Sequence, residues 1–192
     1  MIVTTNNFDA VLAYLKTQKT LVIDTETDGL DPYTGSQLCG IGVGIVGGKE
    51  WYFPFRHKHE ESQNLSIDYL RRLISLINDY TYHLIGFNIK FDLHMLMQEG
   101  LVVWDKELSD VIVMARLASR NKFDRMGLSD TIDRIFGKGS SAYDKETKAI
   151  LRKNKWNKDF STAPESVLGP YCEKDVWWTR KTYFYCLQYI KG

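Results

Sequence analysis

The chain has few cysteines, few prolines and no long hydrophobic run, and each shortage excludes a class of protein. Its 192 residues include three cysteines and four prolines. The odd number of cysteines and the lack of a C-x-x-C spacing argue against a disulfide framework or a zinc site, so we expect a reduced, cytoplasmic environment. No apolar run approaches membrane-spanning length, and the first residues lack the basic and apolar regions of a signal peptide. We therefore expect a protein that is neither exported nor embedded in a membrane.

Neither sign of charge is in excess. Lys and Arg number 25 against 24 Asp and Glu, and 44% of the residues are hydrophobic. This composition predicts one globular domain over residues 1–192 with a full core. Charge is uneven only locally, where a basic stretch contains Lys145, Lys148, Arg152, Lys153, Lys155 and Lys158. With Trp156, this stretch fits either a groove that follows phosphates or a solvated helix face.

Strand and helix patterns alternate along the chain. Apolar or alternating runs predict a strand that ends at Asp24 and strands over 39–46, 51–55 and 84–87, with a hairpin turn at Gly47-Gly48. Helical spacing predicts helices over 66–77, 91–98, 111–118 and 128–136. We expect a last helix from about 163 to 190, broken at Gly169-Pro170. These elements predict an α/β domain in which an antiparallel ribbon joins a mixed sheet with flanking helices.

Asp24 and Glu26 are the first chemically distinctive pair. Residues two apart in a strand point to the same face, so these carboxylates lie side by side where a buried strand leaves the core. Hard divalent ions prefer such oxygen ligands. The chain has two more Asp-x-Glu triplets, at 105–107 and 144–146, but their lysine-containing polar surroundings favour solvated charge. Taken alone, the first pair fits a polar strand end as well as a metal site.

Two further motifs follow in the chain. Asp92 comes soon after the strand over 84–87 and near a helix N-terminus, where a carboxylate also offsets the helix dipole. The same turn contains Asn88, an amide able to reach a sugar or a phosphate. Tyr171 and Asp175 are four residues apart and share one helix face. The structural alternative for this last pair is a tyrosine packed over a surface helix.

Together these residues resemble the DEDD superfamily of 3′-5′ exonucleases, in the tyrosine-bearing subclass that supplies the proofreading domain of family A DNA polymerases. Residues 22–30, 86–92 and 171–175 are similar to its first, second and third motifs, in that order. The resemblance implies a ribonuclease-H-like fold and a phosphodiester hydrolase that removes nucleoside 5′-monophosphates from the 3′ ends of single-stranded DNA. None of the four histidines stands in the third motif, which disfavours the histidine-bearing subclass.

The resemblance also implies roles for individual residues. Four carboxylates would hold two divalent metal ions, Mg²⁺ or Mn²⁺: Asp24, Glu26, Asp92 and Asp175. Tyr171 would orient the attacking water. Contacts to the terminal nucleotide are implied for Thr27, Leu30 and Asn88. Tyr143 is the candidate for stacking near the 3′ terminus, and plain packing is the alternative.

Two other functions use the same features. An RNA-trimming exonuclease of the ribonuclease D kind would need the same five residues, and a non-catalytic nucleic-acid-binding module could share the fold. Large apolar side chains on more than one face of residues 171–190 also predict a docking surface. The chain stops at Lys191-Gly192, where a family A polymerase domain would begin. We therefore expect a module excised from, or partnered with, a DNA polymerase.

Overall fold

Five strands and seven α-helices make up the described part of the chain. The computed structural model describes residues 1–120 and 127–190. The strands are β1 (Thr20–Thr27), β2 (Leu38–Ile45), β3 (Glu50–Pro54), β4 (His83–Gly86) and β5 (Glu107–Asp110). The helices are α1 (Phe8–Leu15), α2 (Ile67–Tyr80), α3 (Ile89–Gln98), α4 (Val111–Ala118), α5 (Leu128–Phe136), α6 (Ala142–Lys153) and α7 (Glu165–Ile190). A 3₁₀ helix, Phe160–Thr162, precedes α7.

The strands form one mixed sheet in the order β3-β2-β1-β4-β5. Strand β1 lies at its centre, antiparallel to β2 and parallel to β4. Strand β3 is antiparallel to β2, and β5 is parallel to β4. The predicted α/β class is confirmed, and so is the hairpin between the second and third strands.

Helices cover both faces of the sheet because its strands alternate apolar side chains. On one face, Leu21 and Ile23 of β1 belong to a core that includes α1, α2 and α3. On the other, Val22 packs with Val176 of α7 and Val111 of α4. Asp24 and Glu26 continue the row that Val22 begins, so the alternation directs them to the α7 side.

Glycines in β2 let α7 lie close to the sheet. A Cβ atom added at Gly42 would meet the Sγ of Cys172 at 2.6 Å, and one at Gly44 would meet a methyl of Val176 at 2.5 Å. Neither approach leaves room for a side chain. Glycine alternates with isoleucine and valine along β2. The glycines therefore set the distance between α7 and the sheet.

The predicted end of the first strand and the predicted break in the last helix were both wrong. Strand β1 does not end at Asp24, because its pairing with β2 continues to Thr27, with an irregularity between Glu26 and Thr27. Helix α7 is not broken at Gly169-Pro170, since Pro170 lies inside it. Gly169 is packed against the side chain of Ile2, where an added Cβ would stand 2.9 Å away. Pro170 is the sixth residue of α7, so the one backbone hydrogen bond that proline removes lies near the helix N-terminus.

Three elements were not predicted: α1, β5 and α6. The predicted helices over 66–77, 91–98, 111–118 and 128–136 are all present, the last two with the same bounds. Ser66 stands at the N-cap position of α2, but its side chain makes no capping hydrogen bond. No helix in the ranges 1–120 and 127–190 is long and apolar enough to cross a membrane.

Candidate active site

The two carboxylates of β1 lie beside a cysteine of α7. Ligand atoms of Asp24, Glu26 and Cys172 are all within 4.8 Å of one another. The thiol of Cys172 donates a hydrogen bond to Oδ2 of Asp24 at 3.3 Å. Sequence reasoning placed the carboxylates side by side but gave Cys172 no role beyond helix packing.

Asp92 lies in the first turn of α3, and only 3% of it is exposed. Its Oδ1 accepts a hydrogen bond from the hydroxyl of Thr25 at 2.7 Å, which ties α3 to β1. Asn88, at the N-cap position, adopts the left-handed conformation with φ of 58°. Its backbone N–H donates to Oδ1 of Asp110 at 2.9 Å, while its side chain is exposed. Asp92 is thus held by a specific partner as well as by the helix terminus.

Tyr171 and Asp175 lie one turn apart on α7, and both contact α6. The hydroxyl of Tyr143 donates to Oδ1 of Asp175. The hydroxyl of Tyr171 donates to Oδ1 of Asp144 at 2.9 Å. The rings of the two tyrosines are 6.0 Å apart with an interplanar angle of 44°. The structure therefore places Tyr143 beside a carboxylate.

The triplet at 144–146 differs from its predicted solvated state at one residue. Lys145 and Glu146 are exposed, as expected, but Asp144 is buried. Its carboxylate pairs with Lys148 at 2.8 Å, one helical turn later. The i,i+4 spacing of Asp144 and Lys148 was the available signal, but it does not show which partner would cover the pair. In the triplet at 105–107, both carboxylate residues are exposed as predicted.

The four carboxylates lie close together, with Glu26 and Asp92 buried and Asp24 and Asp175 half-buried, and this makes them hard to ionise together. Burial, followed by repulsion from the other carboxylates, raises the pKa of Asp24 and of Glu26 well above their usual values. Burial also raises the pKa of Asp92 and of Asp175 to about 7. A positive charge placed among them would relieve both effects. This set of hard oxygen donors fits divalent cations such as Mg²⁺ or Mn²⁺.

A cleft opens on one side of these carboxylates. It has a volume of about 340 Å³ and is lined by Thr25, Glu26, Thr27, Asp28, Gly29, Leu30, Phe91, Asn157, Lys158 and Phe160. Leu30 is 87% exposed, whereas Thr27 is buried and donates a hydrogen bond to the Gly29 carbonyl at 2.6 Å. Two of the predicted substrate contacts, Thr27 and Leu30, therefore share this cleft.

The other two predicted substrate contacts, Asn88 and Tyr143, are not among the residues that line this cleft. Its aromatic lining comes from Phe91 and Phe160 instead. Of the basic stretch, only Lys158 reaches the cleft. Sequence reasoning missed Phe160, because it lies in a three-residue 3₁₀ helix, which is too short to give a periodic signal.

Comparison with known proteins places this geometry in context. A model of the 3′-5′ exonuclease family of the DNA polymerase A type matches residues 1–186. No curated protein matches the chain. A nuclease solved in its apo form has a TM-score of 0.62 at 19% identity, with 98% of this chain and 78% of that chain covered.

Two further solved structures are similar at lower identity. The catalytic core of RRP6 from Trypanosoma brucei has a TM-score of 0.61 at 13% identity, covering 96% of this chain and 45% of that chain. The POL domain of Pol1 from M. smegmatis, in complex with DNA primer-template and dNTP, has a TM-score of 0.53 at 15% identity, covering 70% and 22%. At these identities the likeness concerns the fold, which is the ribonuclease-H-like α/β arrangement.

Proposed function

Because the chain belongs to the 3′-5′ exonuclease family, whose model spans residues 1–186, we propose that it removes nucleoside 5′-monophosphates from the 3′ ends of single-stranded DNA. The observation that carries this proposal is the convergence of four acidic residues from β1, α3 and α7, two of them buried and two half-buried. Buried acids that repel one another destabilise a fold unless a cation offsets them. Their presence is better explained by a metal-dependent reaction than by structure alone.

The four carboxylates have the proposed role of metal ligands. Asp24, Glu26, Asp92 and Asp175 would hold two divalent ions, Mg²⁺ or Mn²⁺, which when bound neutralise phosphodiester charge and activate water. Three of the four already accept a hydrogen bond from a neighbour: Asp24 from Cys172, Asp92 from Thr25 and Asp175 from Tyr143. Such partners fix the direction of a ligand before a metal arrives.

Tyr171 has the proposed role of holding the attacking water. Burial, followed by repulsion from Asp175, raises the pKa of its phenol above the usual range. The phenol therefore keeps its proton at neutral pH and is a poor general base. It acts through a hydrogen bond that orients water toward the phosphorus, which is a contribution to geometry.

The cleft beside Glu26 would take the terminal nucleotide. Leu30 and Phe160 offer apolar contacts to a base, and the Lys158 ammonium is placed to meet a phosphate. Asn88, exposed at the start of α3, would contact the next part of the strand. The Tyr143 hydroxyl is bonded to Asp175, and its ring lies beside that of Tyr171. We therefore propose that the Tyr143 ring packs within the protein and does not stack on a base.

A single assay tests the activity and its substrate. Oligonucleotides of one sequence, made as DNA and as RNA and labelled at the 5′ end, are incubated with the protein and Mg²⁺ or Mn²⁺. We expect DNA to shorten one nucleotide at a time from the 3′ end, with 5′-monophosphates released, and no reaction in EDTA. Faster shortening of RNA would favour the RNA-trimming alternative. Binding without cleavage would favour a non-catalytic module.

A proofreading role would require a polymerase partner on α7. Phe184 and Tyr189 are exposed, while Trp177, Trp178 and Tyr185 are half-buried. Phe136 of α5 covers part of Trp178, with ring centroids 5.1 Å apart. The predicted docking surface is thus confined to the later turns of α7. The prediction of an excised module also used Lys191-Gly192. These two residues lie outside the described part of the chain.

The isolated domain should then act distributively. Without a partner to hold the template, each encounter would remove about one nucleotide before the DNA dissociates. A trap of unlabelled DNA added with the metal measures this: shortening should stop after the first nucleotide. Removal of many nucleotides under the trap would argue for a free-standing nuclease.

A further inference from the structure

Helices α6 and α7 exchange two hydrogen bonds at the candidate site. Tyr143 of α6 donates to Asp175 of α7, and Tyr171 of α7 donates to Asp144 of α6. Each helix thus supplies one hydroxyl and one carboxylate. The two α7 residues with proposed roles in the reaction are therefore both held by consecutive residues of α6.

Lys148 completes the group at Asp144. Its ammonium lies 2.8 Å from Oδ1 and 2.9 Å from Oδ2 of Asp144. Asp144 is 6% exposed, and a buried carboxylate without a partner would be costly. The lysine side chain reaches solvent, with 45% of it exposed. Lys148 therefore gives the Asp144 carboxylate an oppositely charged partner, and a carboxylate makes a stronger hydrogen bond to a hydroxyl than a neutral acceptor does.

The position of α6 is itself fixed from α5. The carboxylate of Asp133 accepts a hydrogen bond from the backbone N–H of Ser141 at 2.8 Å. Ser141 is buried at the N-cap position of α6, immediately before the turn that carries Tyr143 and Asp144. A fixed first turn gives Asp144 little freedom to follow Tyr171, so the carboxylate sets the direction of the hydroxyl.

A second cavity lies over this group, distinct from the cleft at Leu30. Its volume is about 450 Å³, and its lining includes Asp144, Lys148, Tyr171 and Asp175. At about 30 Å³ each, several water molecules fit. A tyrosine hydroxyl has one proton to donate and lone pairs that accept. The Tyr171 hydroxyl donates its hydrogen bond to Asp144. Toward a water molecule in this cavity, the Tyr171 oxygen can therefore act only as an acceptor.

We propose that Asp144 is a positioning residue of the exonuclease reaction, which holds the proton of Tyr171 so that the phenolic oxygen accepts a hydrogen bond from the attacking water. This inference rests on the proposed function. If Asp144 served the fold alone, an uncharged side chain at this position would cost less stability, because the Asp144 carboxylate repels Asp175. Local costs of this kind are retained where they serve function.

The test is a double-mutant cycle on turnover. Asp144→Ala, Tyr171→Phe and the double variant are compared with the wild type for single-turnover rate and for KM on single-stranded DNA. We expect Asp144→Ala to lower the rate roughly ten- to a hundredfold, the scale of a misplaced reacting group, with KM within about twofold. In the Tyr171→Phe background, Asp144→Ala should cause no further loss, because the carboxylate acts only through the hydroxyl.

Two further variants guard against simpler explanations. Glu146→Ala removes an exposed carboxylate from the same helix and should leave the rate unchanged. Asp144→Asn keeps an acceptor without the charge, so its rate should lie between those of Asp144→Ala and wild type. Where Asp144→Ala fails to fold, a rate of Asp144→Asn below that of wild type still tests the inference. A normal rate in both Asp144→Asn and Asp144→Ala would overturn this inference and leave the proposed function standing. Losses that multiply in the double variant would do the same. A wild-type chain inactive on DNA and RNA would overturn the proposed function first.

Discussion

Asp92 is the most buried of the four carboxylates, and we expect its neighbours to orient it before a cation binds. It is almost fully buried, yet its polar neighbour is a neutral hydroxyl, that of Thr25. A neutral donor orients the carboxylate without cancelling its charge. The charge therefore stays available to a cation.

Replacing Asp92 should separate activity from stability. We expect Asp92→Asn to lower the exonuclease rate by about a hundredfold or more, because even the partners of metal ligands contribute 10–100-fold. In EDTA the melting temperature should rise, since one of four repelling charges is removed. Rates and thermal melts of Asp92→Asn and of Asp105→Asn, an exposed control, provide the check. Near-normal activity with Mg²⁺ would remove Asp92 from the ligand set.

Thr25 offers a finer test at the same place. Thr25→Val keeps the shape of the side chain but removes the donor to Asp92, so we expect roughly a tenfold loss of rate at saturating metal and weaker apparent Mg²⁺ affinity. Thr25→Ser retains the hydroxyl and should stay close to the wild type. Titration of rate against Mg²⁺ for both variants measures the difference, and equal behaviour of the two would show that the bond is unimportant.

Strand β2 and helix α7 form the contact on which the geometry of the site depends. Gly42 leaves space that the Cys172 thiol fills, and Cys172 in turn contacts Asp24. We expect Gly42→Ala to push α7 outward, with a loss of about 1–3 kcal/mol in the free energy of unfolding and a larger relative loss of activity. Gly47→Ala is the matched control, because the nearest atom to its Cβ would be 3.8 Å away. Urea denaturation and exonuclease rates compare them, and equal stability of the two variants would contradict this account.

Sequence patterns predicted the elements that carry their own periodicity and missed those that depend on distant partners. Helices α4 and α5 have apolar spacing within one segment, and both were predicted with their observed bounds. Strand β5 has two exposed residues, Glu107 and Leu108, and becomes a strand only through pairing with β4. Helix α6 carries few apolar residues, and the burial of Asp144 depends on α7. The motif carboxylates were singled out jointly, by their resemblance to a family, and their role as metal ligands stays a prediction.

Stability of the whole molecule should depend on pH through groups that act in opposite directions. His57 is buried, its Nε2 within 2.8 Å of the Tyr52 hydroxyl and its Nδ1 within 2.7 Å of the Ala163 carbonyl oxygen. Burial lowers its pKa below the usual value of 6.5. The unfolded chain therefore binds a proton more readily than the folded one as pH falls below about 6.5, and the contribution of His57 to stability is lost there.

The buried carboxylates work the other way, because raised pKa values favour the folded state at low pH. The carboxylates are present in both the wild type and His57→Gln, so their contribution cancels when the two proteins are compared. We therefore expect the difference in unfolding free energy between these two proteins to shrink from pH 7.5 to pH 5. Urea denaturation at four pH values in EDTA measures this difference. A difference that is constant with pH would mean that His57 titrates normally in the folded chain.

The contact between Cys172 and Asp24 joins residues 148 positions apart. During synthesis the chain emerges at about 5–20 residues per second, so β1 waits several seconds for α7 to be made. A nascent chain that already contains Asp24, Glu26 and Asp92 still lacks Tyr171 and Asp175. If the proposed site needs both of these residues, we expect nuclease activity to begin only when α7 docks on the glycines of β2, and a chain truncated before α7 should leave nucleic acid uncut.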